Sequence, residues 1–153
     1  MTNAAIAAAG IIAREAGWSS PEPDAEGTCR FSLDGGLDFS LSSPDGRTII
    51  LHADLGTEPD AGTQEGADKL RDLAGFAAGA MASRRSQLSI YEGRLQLHLA
   101  FPAQAPAAAM LDNARDFLND LEWWQAQVRR PSAMSSASPF SFGDGFNMNF
   151  LSF

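Results

Sequence analysis

A chain of 153 residues, 44 % hydrophobic and 20 % charged, is one domain's worth of material. It is large enough to bury a core and too apolar for wholesale disorder. A net charge of −8 at pH 7 and a pI near 4.5 argue against nucleic acid as the main partner, because phosphate binding needs a basic patch. The single cysteine, Cys29, excludes an internal disulfide and allows a reducing compartment.

Thr2–Trp18 is rich in alanine and reads as a helix. Ala4–Ala13 has the apolar character of an export signal, but no basic residues precede it and Arg14-Glu15 interrupt it. It is also too short to cross a bilayer. Apolar residues run almost all the way round this helix. Either small alanines are tolerated at the surface, or Ile6, Ile11 and Ile12 face different ways because a second chain covers part of it.

Ser19–Gly27, with its prolines and acids, is a loop. Three strands follow. Cys29, Phe31 and Leu33 alternate with Arg30, Ser32 and Asp34; Leu37, Phe39 and Leu41 alternate with Asp38, Ser40 and Ser42. Ile49, Leu51, Ala53 and Leu55 alternate with Ile50, His52 and Asp54. A period of two puts each apolar set on one face of a sheet. Asp34-Gly35-Gly36 and Ser43-Pro44-Asp45-Gly46 supply the turns, so the segment is an antiparallel meander with one apolar face.

After an acidic loop, Gly56–Gly66, helical spacing returns over Ala67–Ser83, with Leu70, Leu73, Ala77 and Met81 in one stripe. Ala74, Gly75, Ala77, Ala78, Gly79 and Ala80 make this helix slim. Glycine inside a helix costs about 1 kcal/mol relative to alanine, so two of them imply close approach by another backbone. That neighbour is either the chain's own sheet or the same helix of a second copy.

Leu88 and Ile90, then Leu95, Leu97, Leu99 and Phe101, form a second hairpin about the turn Glu92-Gly93. Pro106 opens the last helix. Met110, Ala114, Phe117, Leu121, Trp124 and Val128 make its apolar stripe. Trp123 lies off it, either as an incidental surface residue or as a contact anchor. Arg129-Arg130-Pro131 closes the helix with cations at its negative end. Ser132–Pro139 is a Ser/Ala linker. Beyond it Phe140, Phe142, Phe146, Met148 and Phe150 alternate with small or polar residues around Gly143-Asp144-Gly145. This aromatic tail is either left free or pairs with a sheet edge, its own chain's or a neighbour's.

Catalytic chemistry is not visible. His52 and His98 sit in separate strands on the polar phase with no third ligand at metal spacing. The sequence has no Gly-rich phosphate loop, Gly-x-Ser-x-Gly elbow or Cys-x-x-Cys pair. Asp34, Asp38, Asp45 and Asp54 belong to turns or to a solvent face, where carboxylates serve solubility. The chain reads as a non-enzyme without cofactor or metal.

The order helix, three strands, helix, two strands, helix predicts an α+β fold with a meander plus a hairpin. With its acidic pI, it resembles the effector-specific (class I) chaperones of bacterial type III secretion. The likeness is carried by the hairpin Cys29–Leu41, the strand Ile49–Gly56, the helix Ala67–Met81, the hairpin Leu88–Phe101 and the helix end Phe117-Leu-Asn-Asp-Leu-Glu-Trp-Trp124. It covers roughly residues 2–128. The family's second helix usually carries more leucines and an asparagine, where this chain has Leu73-Ala-Gly-Phe-Ala-Ala-Gly79. The aromatic tail has no counterpart.

The resemblance implies a cytoplasmic homodimer that binds the extended N-terminal segment of a secreted effector and keeps it competent for export. It implies no ATP, no metal and no insertion into a membrane. It places Ile50 and the outward residues of the first helix in a cargo groove. Ala74, Ala77, Ala78 and Met81, with Leu88 and Ile90, fall near the dimer contact. The chain then divides into a domain over 1–128, a linker over 129–139 and a tail over 140–153, with Phe140, Phe142, Phe146 and Phe150 as docking residues that could occupy the cargo groove. The competing expectation is a small α+β ligand-binding or enzymatic domain that uses the apolar side of the sheet as a pocket.

Overall fold

Residues 3–132 are described by the computed structural model, so the aromatic docking residues Phe140, Phe142, Phe146 and Phe150 lie outside the described part. The elements are α1 (Ala4–Ala16), β1 (Cys29–Leu33), β2 (Leu37–Ser42), β3 (Thr48–Thr57), α2 (Gln64–Ala80), β4 (Gln87–Tyr91), β5 (Arg94–Pro102) and α3 (Ala107–Arg129). This is the α+β order read from the sequence. All strand pairings are antiparallel, and the sheet runs β1-β2-β3-β5-β4. β1 and β4 are therefore its two edges.

The alternating patterns sort as expected. Cys29, Phe31, Phe39, Leu41, Ile49, Leu51, Ala53, Leu95, Leu97, Leu99 and Phe101 are buried on one face. Their cross-strand register (Cys29 opposite Leu41, Leu41 opposite Leu51, Leu51 opposite Leu99) keeps them in phase. Leu55 departs from the pattern. The register slips between Asp54 and Gly56, and this bulge leaves Leu55 only half-buried.

Two helices cover the apolar face. α1 and α3 lie against each other and against the strands. Ile12, Phe117 and Leu121 have no exposed surface, and Trp124 is 1 % exposed. α1 starts where the Asn3 side chain accepts the N–H of Ala5 at 2.8 Å. It stops at Gly17, whose φ of 73° lets the Trp18 N–H turn back to the Ala13 carbonyl. That turn sets the Trp18 ring edge-on to Phe31 and Phe39.

α2 begins earlier than its apolar spacing suggests. The Thr63 hydroxyl accepts the N–H of Gly66 at 3.0 Å, which fixes the start at Gln64. Gly66 is required by space, since a Cβ there would lie 1.9 Å from the Asp60 carbonyl oxygen. Within the expected stripe only Leu73 is buried; Met81 is 82 % exposed, and Phe76 and Ala80 turn inward instead. α2 flanks α3 rather than lying on the sheet. The Lys69 ammonium donates to the carbonyls of Gln127 and Arg130 and so caps α3's C-terminus. Phe76 meets Trp123 edge-on. α3 runs to Arg129, and Ser132 is still buried, so packing extends past residue 128.

Candidate partner-binding surfaces

Three surfaces are left open by this arrangement. The first is the edge of β1. The Asp24 N–H donates to the Thr28 carbonyl at 2.9 Å, and the Thr28 N–H donates to Asp24 Oδ1 at 2.8 Å. A short bridge from Pro23 to Cys29 thus closes the first part of the edge. Proline has no N–H, so that bridge also uses the Arg30 N–H; strand alternation leaves the Arg30 C=O and the N–H and C=O of Ser32 outward, away from β2. Beside them runs an open groove of ≈ 590 Å³ walled by Trp18, Pro21, Leu33 and Leu37. An edge with outward backbone groups next to a trough of mixed lining, in which Ser19, Ser20 and Asp34 stand among the apolar walls, suits an extended peptide.

The second surface joins α2 to β4. Ala77, Ala78, Met81 and Leu88 line one groove of ≈ 760 Å³, with Trp124 as its floor. Ala74 stands exposed one turn before Ala78, and Ile90, 48 % exposed, follows Leu88 along the edge strand. The six residues expected near a dimer contact therefore occupy one side of the molecule. On the other flank of α2, Gly75 and Gly79 have no atom within 4 Å of a notional Cβ. The chain's own sheet is not the close neighbour that these glycines call for. Trp123, read as either an incidental surface residue or a contact anchor, is half-buried between Phe76 and the Arg84 guanidinium, 4.4 Å from its ring centre, and borders that same flank.

The link from α2 to β4 is fixed from α3. Asp120, 4 % exposed, accepts Arg84 Nη1 on one oxygen and the Ser86 N–H on the other, each at 3.0 Å. No sequence pattern pointed to Asp120, because an acid beside an apolar stripe reads as solvent-facing until its partners are placed.

The third surface is the uncovered face of the sheet. Ile50 lies here, half-buried, opposite Ser42 and Ala100. α1 packs on the other face, so Ile50 and the outward residues of α1 do not form one groove in this chain. On α1, Ile6 is 36 % exposed and Ile11 half-buried against the core. Ile12 has no exposed surface, so the core itself takes up a residue expected to meet a partner. That correction has a simple cause: with alanine all round, the periodicity of α1 could not say which isoleucine faces inward.

His52 and His98 are brought directly opposite each other, because β3 pairs with β5 rather than with β4. Burial, and secondarily the charge of His52, holds the His98 imidazole below its ordinary value of 6.5. The unfolded chain takes up this proton at higher pH than the folded chain, so the stability linked to it is full above about pH 6.5 and falls as pH drops. Urea unfolding at pH 7 and pH 5 is expected to show a smaller acid loss for His98→Gln than for the parent. An identical loss in both would remove His98 as its source. Nearby, Arg94 donates twice to Asp54, and this hydrogen bonding keeps the Asp54 carboxyl below the usual range.

Among the described residues, no three or more His, Cys, Asp or Glu side chains are grouped to hold a metal ion. None of the described helices is long and apolar enough to cross a membrane. Open edges and exposed small-residue helix faces are surfaces for polypeptides. The sequence profile of the Tir chaperone protein (CesT) family matches residues 11–125. The chain belongs to the CesT family. This is the class of type III secretion chaperones that the spacing of its strands and helices resembles.

Solved structures carry the same fold as this CesT-family chain. A chain of the ExsC-ExsE complex superposes with a TM-score of 0.60 at 23 % identity, covering 84 % of this chain and 94 % of its own. The HopA1-SchA chaperone-effector complex gives 0.57 at 18 %, covering 78 % and 91 %. The ExoT-SpcS complex from Pseudomonas aeruginosa gives 0.56 at 14 %, covering 80 % and 98 %. No curated protein sequence matches significantly. At these identities the structures establish the CesT architecture of the chain.

Proposed function

We propose that this chain is a homodimeric chaperone of the bacterial cytoplasm that binds the extended N-terminal segment of a secreted effector and keeps it competent for type III export. The observation that carries the reading is the half-open edge of β1, with the Arg30 C=O and the N–H and C=O of Ser32 turned outward beside the trough of Trp18, Leu33 and Leu37. An extended guest adds a strand there through its backbone and seats alternate apolar side chains in the groove. Backbone pairing tolerates varied guest sequences. The cost of ordering the guest limits affinity per unit area, which suits a cargo that must later be released. Of the solved complexes of this fold, HopA1-SchA is a chaperone-effector complex and ExoU-SpcU comes from the type III secretion system of Pseudomonas aeruginosa, which supports the same reading.

The dimer is supported by the two open flanks of α2: on one Gly75 and Gly79 leave room for another backbone, and on the other Met81 stands in solvent. Against the competing expectation, a ligand pocket on the apolar side of the sheet, stands the packing of the described residues: α1 and α3 cover that side with Ile12, Phe117, Leu121 and Trp124. The domain over residues 1–128 carries both surfaces.

The test is co-expression with the N-terminal segment of a candidate type III effector, followed by limited proteolysis. The expected outcome is a stable complex with two copies of this chain and one protected guest segment. A guest that is digested as fast in the mixture as alone would overturn the reading.

A further inference from the structure

We propose that His52 and His98 form a two-imidazole chelate, on the uncovered face of the sheet, for a divalent ion of the nickel, copper and zinc group.

Register brings the two rings together. His52 of β3 stands directly opposite His98 of β5. In an antiparallel ladder, opposed residues alternate between pairs that exchange backbone hydrogen bonds and pairs that do not. The Ala103 N–H donates to the Arg47 carbonyl at 2.7 Å, and these two residues continue the register of Thr48 opposite Pro102. Counted in twos from there, the bonded pairs are Ile49 with Phe101, Leu51 with Leu99 and Ala53 with Leu97. His52 and His98 fall in a non-bonded pair, whose Cα atoms lie about 4.5 Å apart with side chains in closest approach. The β4–β5 turn gives the same phase. Glu92 and Gly93 are both left-handed and form a two-residue loop, so Tyr91 and Arg94 close it as a bonded pair. Counted in twos from Arg94, His98 turns its backbone groups toward Gln87 of β4 and not toward β3. An ion about 2.1 Å from each of two imidazole nitrogens needs them roughly 3 Å apart. Rings that leave Cβ atoms about 5 Å apart on one face reach that spacing.

The surroundings favour ligation by nitrogen. Leu51, Ala53, Leu97 and Leu99 are buried beneath the helices, so both half-buried imidazoles lie on the opposite face. Across the sheet the row reads Ser40, His52, His98, Gln87, with no acid in it. Asp54 is held by two hydrogen bonds from Arg94, and Arg30 pairs with Asp24. Two imidazoles among hydroxyl and amide groups select a borderline metal over magnesium or calcium, which take oxygen ligands. Burial holds His98 below its ordinary value, so its ring is unprotonated near neutral pH. Water fills the remaining coordination positions.

Calorimetric titration of the full, untagged chain with zinc chloride at pH 7 tests the chelate. One ion per chain is expected, bound at least tenfold more weakly in His52→Gln and in His98→Gln. Copper(II) should bind more tightly than zinc, and zinc binding should be lost at pH 5, where protons compete for the rings. A second readout needs no variant. The chain has 2 histidines, so the imidazole proton resonances report on this pair alone, and zinc should shift both sets together. Equal affinity in parent and variants, or affinity retained at pH 5, would assign the ion to carboxylates and overturn the chelate. A response from only one ring would overturn it as well, and so would one ion per two chains, which places the ion between copies.

Discussion

Replacing Asp120 with alanine is expected to lower the unfolding free energy by about 3 kcal/mol, the low end for breaking a buried ion pair because Arg84 stays partly wet. The carboxylate holds two groups of one linker. Arg84 Nη1 and the Ser86 N–H each lie 3.0 Å from one of its oxygens, and Ser86 is 9 % exposed. Alanine leaves a guanidinium without its anion and a backbone N–H without an acceptor in a place water barely reaches. It also frees Arg84 from its station over Trp123, loosening the contact through which Phe76 holds α2. Asp120→Asn separates the contributions: its oxygen still accepts from Ser86, so about half the loss is expected. Urea unfolding reads both as shifts of the midpoint at constant slope. An alanine variant within about 0.5 kcal/mol of the parent, the range of ordinary surface changes, would show that the junction is held elsewhere.

The sheet was legible from the chain because its signals are local. Alternation over Cys29–Leu41 and Leu95–Phe101, with glycine turns between, leaves one arrangement of faces, and the structure adopts it. α3 was legible for the same reason: Met110, Ala114, Phe117, Leu121 and Trp124 mark a face wide enough to survive any error in its ends. What could not be read depends on contacts between distant segments. The neighbour of β3 is β5, and only that crossover sets His52 against His98. α2 misled for a different reason. Its apolar residues serve two surfaces, Leu73 and Phe76 turned inward while Ala74, Ala78 and Met81 stay in solvent, so no single stripe describes it. Gly75 and Gly79 face open space in the single chain, and which backbone, if any, approaches them is not encoded in the helix itself.

A charge placed on that outward face distinguishes the candidates. In a twofold dimer, one substitution enters the contact twice. Met81→Glu is expected to weaken self-association at least 1,000-fold, about 4 kcal/mol, because each copy then buries a carboxylate, and the nearby Arg84 and Arg85 are already committed to Asp120 and Asp116. Within one molecule the change is mild, since Met81 is 82 % exposed. Gly79→Leu sharpens the test. A Cβ there meets nothing within 4 Å in the single chain, and leucine favours helix over glycine by up to about 1 kcal/mol. The variant should therefore be as stable as the parent, or more so, when measured as a monomer, yet fail to pair because the close approach of two α2 helices is blocked. Sedimentation velocity across a concentration series measures the association, and thermal unfolding at the lowest concentration measures the fold. Stability maintained with dimerisation lost assigns the small-residue face of α2 to a second copy. Dimers that persist in both variants would move the contact off α2, leaving Gly75 and Gly79 without the neighbour that their place in a helix demands.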